Sequence, residues 1–64
     1  MSSKYARRHY EDTAEIMRVH MNAARTPRER EVIDDIAREF AHLYANDNSR
    51  FDSARFANAY RPTR

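Results

Sequence analysis

An all-α fold, an antiparallel helical hairpin over about residues 9–25 and 27–46 with a short third helix at about 53–60, is predicted by three features of this sequence. Glycine is absent and proline occurs only at positions 27 and 62, so tight β-hairpins that need positive φ have almost no suitable residue. Apolar residues recur at steps of three and four through both halves of the chain, the spacing of one helical face. Between the two periodic stretches, Thr26-Pro27-Arg28-Glu29 reads as the start of a helix.

The first helix rests on Tyr10, Thr13, Ala14, Met17, Met21 and Ala24, which share a face. A start near His9 puts Glu11 and Asp12 in the first turn, where carboxylates favour the positive end of the helix dipole. An earlier start would put Lys4, Arg7 and Arg8 there instead, so residues 1–8 are expected to be a frayed, flexible basic tail. His20 borders the apolar face and is expected to be partly buried.

The second helix is the best signposted. Thr26 is placed as N-cap, Pro27 at the first helical position where no N–H is needed, and Glu29 three residues after the cap to complete a capping box. Val32, Ile33, Ile36, Ala37, Phe40, Leu43 and Tyr44 then form an apolar stripe, with Glu31, Asp34, Asp35, Arg38 and His42 off it. Asp34 and Arg38, four apart in the favourable order, read as a solvated surface pair. The short connection between the helices makes them antiparallel neighbours.

Asn46-Asp47-Asn48-Ser49 breaks the second helix. Asp52 then offers an N-cap, and Phe51 and Phe56 flank it at the positions of a hydrophobic staple that would plug the open end of the hairpin. Pro62 ends the third helix. The chain reads as one domain over residues 9–60 between basic tails at 1–8 and 61–64. A 64-residue domain buries only about 60% of its unfolded surface. With no cysteine to staple it, helix packing or self-association must stabilise it.

Composition argues against several classes of function. The 41% apolar and 34% charged content contains no run approaching the roughly 18 apolar residues of a membrane span, and no signal-type stretch follows Met1, so a cytoplasmic location is expected. His9, His20 and His42 lack the spacing of a helical ligand pair, and no metal or cofactor is expected. Glu11-Asp12 and Asp34-Asp35 are adjacent pairs, whose members point about 100° apart on a helix and cannot share a substrate. No phosphate loop or nucleophile elbow accompanies the serines, so no enzyme is expected.

Two surfaces remain as candidates. Ile16, Val19 and Ala23 form a second apolar strip on the first helix that one partner helix cannot cover together with the first. The simplest expectation is that the third helix packs there through Phe56 and Tyr60. Left open, the strip would bind a second copy or another protein. The alternative is a nucleic-acid partner held through basic tails. Residues 1–9 carry +3, residues 10–49 carry −4 and residues 50–64 carry +3, and Lys4, Arg7, Arg8, Arg61 and Arg64 are the candidate phosphate contacts. The acidic body opposes that reading by repelling a polyanion.

The run from Phe40 to Phe56, with Asp47-Asn48-Ser49-Arg50-Phe51-Asp52 and Arg55-Phe56 at its close, resembles the C-terminal pattern of small helical proteins encoded by actinobacterial phages. His9-Tyr10-Glu11-Asp12-Thr13-Ala14-Glu15-Ile16-Met17 is similar to their usual opening, so the likeness spans about residues 9–59. Those proteins commonly carry Pro where Ser49 stands, and Gly or Cys soon after the last Phe, where Ala57-Asn58-Ala59 stand here. Most have no assigned activity. The resemblance implies a phage setting, a helical fold and action by binding a host protein, and it transfers no catalytic residue.

Overall fold

Three helices make up the fold in the computed structural model, which describes residues 3–61: α1 is Arg7–Ala23, α2 is Pro27–Asp47 and α3 is Ser53–Tyr60. The expected all-α hairpin and short third helix are present, and no strand occurs among the described residues. α1 and α2 run antiparallel, and α3 lies along one side of the pair, meeting α1 more extensively than α2. The molecule is elongated, 42 × 16 × 15 Å. Its radius of gyration of 12.0 Å exceeds the roughly 11 Å of a rounder chain this long.

Local chemistry explains the helix ends. Thr26 Oγ1 accepts the Glu29 N–H at 3.1 Å, as an N-cap does. The reciprocal arm of the expected capping box lands one residue early: Glu29 Oε1 accepts the Arg25 N–H at 2.6 Å, not that of Thr26. Asn48 Oδ1 accepts the Arg50 N–H, and the Asn48 carbonyl accepts the Phe51 N–H, closing a turn. Asp52 Oδ1 then caps α3 through the Arg55 N–H at 3.0 Å. Phe51 and Phe56 pack with ring centroids 5.6 Å apart across that cap, tilted to each other, forming the expected staple.

The N-terminal segment departs from expectation. α1 begins at Arg7, two residues before the predicted start, and Lys4 and Tyr5 are held against the end of α2 instead of fraying. The two carboxylate oxygens of Asp47 accept the Lys4 and Tyr5 N–H groups at 2.9 and 3.0 Å. Those donors, Tyr5's first, hold the Asp47 carboxyl below the usual carboxylate range. His9 Nδ1 accepts the Ala6 N–H, and Arg7 pairs with Glu11 at 3.2 Å. These contacts offset the poor dipole position of Arg7 and Arg8, a cost that local sequence rules count alone. Met1, Ser2, Pro62, Thr63 and Arg64 lie outside the described residues.

The core is a short column of Ala14, Met21, Ala37, Tyr44, Phe56 and Tyr60. Ala14 lies under α3, where a small side chain lets the α1 and α3 backbones approach closely, and Ala37 is fully buried. Tyr44 is the hub of the open end, with the rings of Tyr5, Tyr10, Phe40, Phe51 and Phe56 between 4.7 and 6.1 Å from its own. Its hydroxyl meets Thr13 Oγ1 at 2.6 Å. Thr13 spends its one proton on the His9 carbonyl, so Tyr44 is the donor.

Candidate interaction surfaces

α3 does not cover the strip on α1. Phe56 and Tyr60 are buried, but on the other side, over Ala14 and α2, and Ile16 and Val19 remain 55% and 52% exposed. Ala23 is exposed as well. The reason is angular: at about 100° per residue, Ile16 points roughly 160° away from Ala14, beyond reach of a helix seated against Ala14 and Tyr10. His20 is exposed for a related reason, since it is turned about 100° from Met21, the buried residue beside it.

A second open strip lies on α2, where Val32, Ile36 and Leu43 are 41–44% exposed. The predicted stripe of seven apolar residues spreads over an arc of about 140°, and α1 covers only the part around Ala37 and Tyr44. That width was the available signal that one edge would stay uncovered. Asp34 and Ala41 mark the opposite flank of α2, where α3 sits, so Val32, Ile36 and Leu43 point about 140–180° away from α3.

The surface pair Asp34 and Arg38 is present at 2.9 Å, but Asp34 does more than face solvent. It accepts the Tyr60 hydroxyl at 2.6 Å and thereby ties α3 to α2. Burial first, and this acceptor second, push the Tyr60 phenol up to about 12. The tie joins two helices 26 residues apart in sequence, so no local pattern announces it.

Two clefts flank α3. The one between α2 and α3 is lined by Asp34, Arg38, His42, Phe56, Tyr60 and Arg61. The other, about 240 Å³ between α1 and α3, has Tyr10, Ala14, Phe51 and Phe56 as its floor and Arg7, Arg50 and Arg55 at its lip. Glu11 and Asp52 share that lip, one paired with Arg7 and the other engaged in capping α3. Among the described residues Arg50 and Arg55 make no ion pair.

Of the candidate phosphate contacts, Arg7 and Arg61 line different clefts, the first and the second, and Lys4 sits at the Asp47 end of α2. Arg8 is exposed on α1, and Arg64 is outside the described residues. No trio of His, Asp or Glu side chains is gathered as for a metal ion among the described residues, and none of their helices is long and apolar enough to cross a membrane. No family model, curated protein or solved structure matches the chain.

Proposed function

We propose that this chain is a non-enzymatic protein-interaction module, a phage accessory protein that acts by self-association or by docking to a host protein. The observation that carries this reading is the apolar surface left open by α3: Ile16 and Val19 on α1, and Val32, Ile36 and Leu43 on α2. Five large apolar side chains more than 40% exposed on a 64-residue chain are a heavy load for a thin core. Apolar patches of that kind mark contact surfaces. A nucleic-acid role through basic tails has weaker support, because Arg7 and Arg61 line different clefts.

The test is the solution mass by light scattering across a concentration series, for the native chain and for Ile16→Glu with Val19→Glu and, separately, Ile36→Glu. Mass above the monomer that drops in either variant supports self-association through that strip. A native chain that stays monomeric removes self-association. Host docking is then tested by capture from host lysate with the native chain, and equal capture by both variants would sink that too.

A further inference from the structure

We propose that the Arg-rimmed cleft between α1 and α3 receives Ile36 of a second copy of this chain, so that copies join head to tail. The inference rests on the reading that the α2 strip is a contact surface, and it names what that strip contacts. Size comes first. At about 240 Å³ the cleft lies below the roughly 300–1,000 Å³ of sites for drug-sized ligands. One bulky apolar side chain suits it, in the manner of an anchor residue filling a pocket. Its floor offers such a group carbon and little else: Tyr10 has its hydroxyl engaged by Asn48, and Ala14, Phe51 and Phe56 have no polar side-chain atoms.

Charge supplies the second argument. Arg50 and Arg55 stand at the lip with no carboxylate partner among the described residues. On α2, Ile36 is 44% exposed with Asp35 beside it and Glu39 one turn on, and neither carboxylate makes a hydrogen bond or ion pair among the described residues. An apolar anchor flanked by unpaired carboxylates thus exists on the same molecule as an apolar cleft whose lip holds two unpaired guanidinium groups, beside Glu11, which is paired with Arg7, and Asp52, which caps α3. Arginine is the side chain suited to holding carboxylates in a desolvated contact.

Direction is the third argument. The strip points away from α3 and the cleft opens beside α3, so one copy cannot fill its own cleft. A two-fold pair would need strip and cleft on one face of the molecule, but the strip points about 140–180° away from α3, beside which the cleft opens. The contact is heterologous, leaving each pair of copies with one open cleft and one free strip, and assembly continues with concentration. A single anchor and its flanking charges make a small interface, so association is weak and weakens further with salt.

Complementation tests this. Arg50→Glu with Arg55→Glu disables the cleft, and Ile36→Lys disables the strip; all three positions are exposed, and circular dichroism checks that both variants fold. Sedimentation of the native chain should show mass rising past the dimer with concentration and falling as salt is added. Each variant alone should be monomeric, its self-association weakened about tenfold or more, as loss of an anchor implies. Mixed together, the two should form a 1:1 dimer that grows no further, joining the intact cleft of one to the intact strip of the other. A mixture that stays monomeric overturns the proposal, as does a cleft variant that associates like the native chain. If only Ile36→Lys disrupts association, the strip remains a contact surface and the cleft is not its receptor. A native chain monomeric at every concentration overturns the head-to-tail contact while leaving host docking through the strips open to its own test.

Discussion

The two ends of the hairpin are held by different physics. Toward the turn, Met21 is the buried core residue nearest the connection, and the chain is fixed by backbone caps: Thr26 on the Glu29 N–H and Glu29 on the Arg25 N–H. At the open end the N-terminal segment, α1, α2, the turn after it and α3 meet, with the rings of Tyr5, Tyr10, Phe51 and Phe56 gathered around that of Tyr44. The turn is local and is set by residues a few positions apart. The open end is tertiary, and each of its rings depends on the others being present. A hairpin spreads apart at the end that the chain does not close, so that end carries the larger aromatic share of a thin core.

Removing the hub breaks this division most severely. Tyr44→Ala should cost about 3–5 kcal/mol, the range for losing a buried aromatic side chain. A 64-residue domain holds roughly 3–10 kcal/mol in total. Thermal and urea unfolding followed by circular dichroism should therefore find the variant largely unfolded. A loss under about 1 kcal/mol would show that the aromatic cluster is not what closes the open end.

The tie between α3 and α2 gives a smaller effect that depends on pH. Tyr60→Phe removes the hydrogen bond to Asp34 and should cost about 1.5 kcal/mol near neutrality. Folding holds the proton on Tyr60, so this contribution is complete below the ordinary phenol value of 10.0 and is lost as pH rises through about 12. Urea midpoints measured against pH should show the gap between native and Tyr60→Phe closing across that window. A gap that stays constant with pH would assign the loss to packing instead of the proton. The smallest effect belongs to the turn, where Thr26→Ala should cost about 1 kcal/mol. Amide exchange should then rise at Glu29 and Arg30 first, with the aromatic end unchanged if the two ends are held independently.

Signals within a few residues of one another were legible without coordinates. The capping residues Thr26, Pro27 and Glu29, the turn at Asn48 and the Phe51–Phe56 staple around Asp52 each act across three to five positions, and a linear pattern records such distances directly. The start of α1 lies two residues before the position local patterns predict, for the same reason in reverse. Locally, Arg7 and Arg8 oppose a helix start, and the Asp47 carboxylate that offsets them is 42 residues from Tyr5. The candidate surface was legible by halves. Ile16, Val19 and Ala23 could be read as apolar surplus, whereas Val32, Ile36 and Leu43 belonged to a stripe whose uncovered edge depends on where α3 sits.

By itself, then, the sequence determined the three helices, the order in which they follow one another and the antiparallel hairpin, because periodicity, caps and a short connection act locally. Only the tertiary structure decided which side of the hairpin α3 occupies, since Phe56 and Tyr60 could have packed against either apolar face of α1. Tyr60 reaching Asp34, and Phe51 and Phe56 reaching Tyr44, placed α3 over Ala14. That choice left Ile16, Val19 and the Val32–Ile36–Leu43 strip facing solvent, and drew Arg7, distant in sequence from Arg50 and Arg55, to the lip of the same cleft.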